Sequence, residues 1–433
     1  MLNLFARTAR CCCLLALSLL AACDGQERGQ VEAPPTSVSL LHYFTGSLSG
    51  GIDEMGQAFE RQSGVYALKA VSLDHEAFKT SIQDTLTAGN PPDLYSYWAG
   101  ARTASIIDQL APIDDIWAQA GLDERFPPAL VKAAVEYQGH KYLLPLTQHF
   151  VGFFYNKHVF ERHGLKPPAT WAEFLAVCEA LKAKGVTPIA LGASDKWPAQ
   201  FWFDYLLLRT EPYAFRRALM AGEVRFDDPR VVAVFARWKT LIDKGYFNRQ
   251  PHPNSLAWDS GANEMLYRGE AAMTLMGTWN IGYFNNDKHR WEAGRDFDFF
   301  PFPIIDPDLP KVAMGPIDGL ILPKRAANPA GARQVMVHLA GVDAQQAFSR
   351  GSGALAPNRE VPDSAYSGIQ RRVRDEILSS PVFTFALDLS LPPPVAEVSL
   401  NAIADFLAFP DAYPQILRQL ADDAGKRFAG KRE

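Results

Sequence analysis

Between Ala193 and Arg209 the chain reads ASDKWPAQFWFDYLLLR, in which two tryptophans, two phenylalanines and a tyrosine alternate with Asp195, Lys196 and Asp204. Pro198 suits the first turn of a helix, where a missing N–H leaves no bond unmade. On a helix starting there, Phe201, Tyr205 and Leu208 share one face, the face expected to meet the core. Trp202 falls off that stripe and Trp197 precedes the helix in a loop, so both indoles are expected to face something other than the core. The pairing of ring and polar group recurs along the chain. Trp98 closes LYSYW, Trp279 follows AAMTLMGT, and Thr45, Gln148, His149 and Asp318 stand beside apolar runs. Flat apolar rings next to hydroxyls, amides and carboxylates match a ligand with apolar faces and a rim of hydroxyls, which describes a carbohydrate. Aromatic plugging of a joint between two lobes would give the same composition, and residue types alone leave both readings open.

These residues need elements to hold them. SVSLLHYF from Ser37 reads as a buried strand, followed by the loop of Thr45, Gly46 and Ser47 and by a helix with Ile52, Met55 and Phe59 on one face. VYALKAVSL reads as a second strand, a helix is expected over about 76–87, and NPPDLYSYWAG supplies a turn and a third strand. Strand, helix, strand, helix, strand predicts parallel pairing with right-handed crossovers. VTPIALG, AAMTLMG and DGLILPK add short apolar strands further on. The fold class is α/β. In open α/β sheets ligands sit beyond the carboxyl ends of the strands, which is where the residues above are expected to gather.

At 433 residues, 48% of them apolar, the chain is long enough for two lobes. The formal charge is −5, with no block of like charge, and nothing suggests a nucleic-acid partner, which would need a basic face. The first residues, MLNLFARTARCCCLLALSLLAAC, join a basic start to a short apolar stretch and small residues, the pattern of an exported leader over 1–22. Leu20-Ala21-Ala22-Cys23 resembles a bacterial lipobox, which implies a lipid-bearing Cys23, and the Asp24 that follows resembles an inner-membrane retention signal. Residues 23–36 read as a polar tether. Cys178 then remains alone in an apolar helical pattern, a packed and inert thiol.

Several stretches together resemble the extracellular solute-binding proteins of sugar ABC transporters, the maltose- and multiple-sugar-binding group. They are GNPPDLYSYWAG, LPLTQHFVGFFYNKHVFERHGLKPPATWAEF, GASDKWPAQFWFDYL, YRGEAAMTLMGTWN and GPIDGLILPK. The resemblance implies a two-lobed periplasmic binding protein of type II with a ligand cleft between the lobes. It implies lobe one over 37–146 plus 312–365, and lobe two over 147–311 plus 366–433. It implies a carbohydrate ligand stacked on Trp279 and Trp197, with Gln148, His149, Trp98, Asp318, Trp202 and Thr45 around it. Two permease subunits and an ATPase would be separate polypeptides, and the protein itself a periplasmic monomer tethered at the inner membrane. Tyr155 and Asn156 are expected to hold a strand–helix turn, Asp93 to start a strand unless it reaches the ligand, and Arg359 to tie off a loop.

Other chemistries have weaker support. A secreted glycoside hydrolase needs two carboxylates across the scissile bond, and no motif presents such a pair. His158 and His163 are five apart and do not share a helical face as metal ligands at i, i+4 would, so no metal and no cofactor is expected. Thr45 to Gly51 lacks the Gly-Lys-Ser/Thr ending of a phosphate loop. A peptide or polyamine receptor would share the fold but would need matched charges in its cleft.

Overall fold

The computed structural model describes residues 36–45 and 49–430. The leader, Cys23, most of the tether, and Gly46 and Ser47 of the first loop lie outside the described residues. The chain opens as expected: β1 (Thr36–His42), α1 (Ser49–Ser63), β2 (Tyr66–Ser72), α2 (His75–Thr87) and β3 (Leu94–Trp98). β1 pairs in parallel with both β2 and β3. The Asp74 carboxylate caps α2 by accepting from the backbone N–H groups of Glu76 and Ala77, and Phe78, Ile82 and Leu86 bury its inner face. The first turn of α2 is thereby fixed at the carboxyl edge of the sheet.

The first sheet has the order β2-β1-β3-β10-β4, where β4 is Leu143–Gln148 and β10 is Ile317–Ile321. β10 runs antiparallel to both neighbours, and its register sets Asp318 opposite Trp98 on one side and Thr147 on the other. A second sheet, β8-β5-β7-β6, is built from β5 (Val151–Asn156), β6 (Thr187–Ile189), β7 (Ala271–Gly277) and β8 (Phe297–Phe300). Each sheet carries its own apolar core. A parallel pair, β9 (Val312–Met314) with β11 (Val382–Thr384), packs in the second core, so β9 lies with the second sheet although it heads the 312–365 span.

The chain passes between the sheets at adjacent places. One passage is Gln148 to Val151, and the return is Gly315-Pro316, where the His149 N–H donates to the Pro316 carbonyl at 3.0 Å. A β-carbon on Gly315 would lie 2.1 Å from the His149 oxygen, so the two passages can run this close only with glycine there. A third passage joins them, since Gln148 and Leu355 exchange backbone hydrogen bonds at 2.8 and 3.0 Å.

Four further helices shape the joint: α3 (Ala101–Ser105), α4 (Trp197–Leu208), α5 (Tyr213–Met220) and α6 (Trp279–Asn285). The short α7 (Leu387–Ser390) completes it. Among the described residues no helix is long and apolar enough to cross a membrane.

Two sequence expectations need correction. Trp197 is the first residue of α4, not part of the loop before it, and every residue of α4 is buried. The helix therefore has no solvent face, and Trp202 points into the second core, fully buried against Phe153, Phe247 and Phe302. Cys178 is buried and burial pushes its thiol upward, away from reactivity.

Candidate functional site

Where the sheets face each other, a cavity of about 140 Å³ is lined from both sides. The first wall is an aromatic stack. Tyr43, just past β1, lies flat on Trp98, with ring centroids 4.2 Å apart and an interplanar angle of 12°. The edges of Phe78 and His75 close on this pair. Lys79 and Arg102 add cations near the Trp98 ring, at 5.9 and 5.4 Å.

The second wall is a cluster of indoles. Trp279 meets Trp197 and Trp258 edge-on, at 5.8 and 6.5 Å. Trp279 opens α6 directly after Gly277 and Thr278, and its ring folds back so closely that a β-carbon on Gly277 would lie 2.1 Å from it. The Gly-Thr-Trp order at the end of β7 is thus a packing requirement. Phe201 also lines this side, so one member of the face of α4 assigned to the core reaches the cleft, while Tyr205 and Leu208 stay in the second core.

Between the walls lies a buried polar network at the passages. The Tyr43 hydroxyl donates to Asp318 at 2.7 Å, and Thr147 donates to its other oxygen at 2.8 Å. His149 sits 3.4 Å from that second oxygen and shares a 2.8 Å hydrogen bond with the Thr278 hydroxyl. Burial pushes the Asp318 carboxyl up to about 6 and the His149 ring down to about 3. The histidine is neutral at pH 7 and serves as a brace between the halves.

A second polar group comes from α7. Asp388 accepts from the Gln200 side chain at 2.9 Å, and its backbone N–H donates to the Gln200 oxygen at 2.8 Å. Asp204 accepts from the Leu387 N–H at 2.8 Å and is paired with Arg216, which also donates to the Phe385 carbonyl. The two polar residues of the otherwise apolar α4 therefore hold the segment that carries Asp388. From the first half, His75 hydrogen-bonds Glu76, and Glu76 accepts from Lys79 at 2.9 Å. Burial raises the Glu76 carboxyl, but the bonds from His75 and Lys79 more than offset it and hold it at about 2. Burial lowers both His75 and Lys79. Lys79 is thus paired with Glu76 and Arg102 with Asp388, so each of these cations has a carboxylate partner.

Of the residues singled out from sequence, Trp98, Trp197, Trp279, His149, Asp318 and Thr45 line the cavity, Thr45 from an exposed position. Gln148 and Trp202 do not. Gln148 uses its backbone to join the passages, and Trp202 is core. Asp93 bonds Ser39 and the Asn328 N–H, which ties β1 to β3 away from the cleft. Asn156 accepts from the Val159 N–H and donates to the Leu266 carbonyl, holding the strand–helix turn. Arg359 donates to the Glu124 carbonyl on the surface. Sequence reasoning missed Tyr43, His75, Lys79, Gln200, Trp258 and Asp388. His75 and Lys79 follow the carboxyl end of β2, so the strand-end rule could have found them had it been applied to the second strand as well.

Comparison with known proteins shows which family and fold the chain is similar to. The family model described as bacterial extracellular solute-binding protein matches residues 45–346. An uncharacterized ABC transporter extracellular-binding protein of Pyrococcus horikoshii is 30% identical over 381 residues, 84% of this chain and 83% of that protein. The multiple sugar-binding protein of Streptococcus mutans is 25% identical over 305 residues, 66% of each chain. Among solved structures, the bacterial solute receptor AcbH, described with an exclusive preference for β-D-galactopyranose, superposes with a TM-score of 0.84 at 27% identity. That match covers 91% of this chain and 100% of the receptor.

Proposed function

The chain belongs to the bacterial extracellular solute-binding proteins, and from that premise we propose that it captures a carbohydrate between its lobes for a sugar ABC importer. The observation that carries this reading is the cleft itself, where an aromatic stack faces an indole cluster and both nearby cations, Lys79 and Arg102, are already paired with carboxylates. Such a site suits a neutral molecule with apolar faces and many hydroxyls. A peptide would call for unpaired charges, and a polyamine for an acidic cleft.

The three passages at Gln148–Phe150, Gly315-Pro316 and Leu355 are the proposed hinge. Closure about them is favoured by a ligand that touches both walls, because only the closed state makes both sets of contacts. Two permease subunits, driven by a separate ATPase, then receive the ligand. Acylation of Cys23 would hold the monomer at the periplasmic side of the inner membrane, each buried methylene adding about 0.8 kcal/mol. No catalysis is proposed. Asp318, a cavity-lining carboxylate whose pKa burial raises, has both oxygens engaged by Tyr43 and Thr147 and is not free to protonate a glycosidic oxygen.

A thermal-shift series on the mature protein against mono- and oligosaccharides tests the reading, since a ligand that binds only the folded state raises the melting temperature. A raised melting temperature with no release of chromophore from aryl glycosides is the expected pair of results. Turnover of those glycosides would replace capture with hydrolysis.

A further inference from the structure

We propose that this cleft accepts one sugar ring and not a chain of them, an inference that rests on the carbohydrate reading above. The cavity measures about 140 Å³. A cavity of about 150 Å³ is enough for one six-membered ring such as benzene. Sites for larger ligands run to about 300–1,000 Å³.

The small size follows from contacts that reach across the cleft from cavity-wall residues. On one side the His75 ring, on α2, meets the Trp197 ring, on α4, at 5.8 Å. His75 has little freedom, because its Nδ1 is bonded to Glu76 at 2.8 Å and Glu76 is bonded in turn to Lys79. A second contact is the ion pair of Arg102 with Asp388 at 3.6 Å. Beside it, Leu389 packs into the first core, and its carbonyl lies 2.4 Å from where a β-carbon on Gly100 would be. Gly100 has φ +92°, so this close approach uses both the missing side chain and the left-handed backbone. A second sugar linked to the first would have to break either the ring contact or the ion pair. Losing either removes a contact that holds the two walls together.

Calorimetric titration of the mature chain with aldohexoses, aldopentoses and the di- and trisaccharides built from them tests this. At least one monosaccharide should bind, and every disaccharide containing it should bind more weakly by roughly tenfold or more. In His75→Ala the mouth loses its ring, and that gap should shrink to about threefold or less. A gap that stays at its wild-type size in His75→Ala would remove His75 from the size limit. A di- or trisaccharide that binds as tightly as its monosaccharide overturns the one-ring inference and leaves the carbohydrate reading intact. No binding by any sugar, with protein shown folded by a cooperative urea transition, overturns the carbohydrate reading and the inference together.

Discussion

The second lobe holds two groups of tryptophans that differ in how they pack and in what surrounds them. Trp202 and Trp238 are stacked, 6.4 Å apart at 20°, and both are fully buried. Trp197, Trp258 and Trp279 meet one another at 60–80°. Steeply angled packing leaves both faces of a cleft indole free of another indole, whereas each ring of the stacked core pair has one face against its partner. The N–H groups do not separate the two groups, since Trp197, Trp279, Trp202 and Trp238 all have buried indole nitrogens without a partner. An unpaired indole N–H is thus no mark of a ligand site in this lobe. The cleft indoles are distinguished by their polar neighbours. His149 packs against Trp279 at 5.2 Å, and Lys79 and Asp388 share the same cavity.

Trp202→Ala offers the largest test of that contrast. Deleting a fully buried indole should cost about 3–5 kcal/mol of stability, read from the urea midpoint. Sugar affinity of the folded fraction should stay within about twofold, well under 1 kcal/mol. A folded variant with tenfold weaker binding would mean that the core indole shapes the cleft after all.

The error over Trp202 shows what a sequence pattern can carry. The parallel opening of the fold was legible, because alternating strands and helices with turn residues between them leave few topologies. So was the role of Asn156, whose place between a strand and a helix is a capping position. The orientation of α4 was not legible. Assigning a core face from Phe201, Tyr205 and Leu208 assumes an opposite face in water, and α4 is buried all round. Asp388 was missed for a related reason: it reaches the cleft on a four-residue helix, too short for any periodicity, held by Gln200 and Asp204 from far along the chain.

The core pair and the cleft should also differ in their response to acid, because the cleft stack rests on Asp318 and His149. Asp318 titrates at about 6 in the folded chain against an ordinary 3.8. It takes up a proton more readily folded than unfolded, so it adds stability as pH falls from 6 toward 4. His149 titrates at about 3 against an ordinary 6.5. Its unfolded ring accepts a proton that the folded ring refuses, so it removes stability as pH falls below 6.5. The two oppose each other across the same window, each by up to about 3 kcal/mol between pH 4 and 6.5. Urea midpoints over that range should fall more steeply on acidification in Asp318→Asn than in wild type, and less steeply in His149→Gln. Parallel curves for all three proteins would show that the network does not titrate as described.

A smaller effect is expected for Trp279→Ala, which removes an uncovered face while sparing the core. Loss of one aromatic contact should weaken sugar binding by about 1.5 kcal/mol or more, roughly tenfold. Gly277→Ala should weaken it in the same direction, because the new β-carbon displaces the Trp279 ring. Unchanged affinity in both variants would leave Trp279 outside the site and return the cleft indoles to the same standing as the core pair.

The smallest effect belongs to Gln148, named from sequence beside His149 yet separated from it in role. Its backbone N–H and carbonyl both bond Leu355, and these bonds survive any side-chain change that keeps the N–H. Its side chain does not line the cavity. Gln148→Ala should therefore shift sugar affinity by less than about 0.5 kcal/mol, the range of substitutions away from a functional feature. Gln148→Pro removes the N–H that joins two passages, which should lower stability by about 1 kcal/mol or more. A large loss of affinity in the alanine variant would place the side chain in the site and move the polar rim of the cleft one residue along β4.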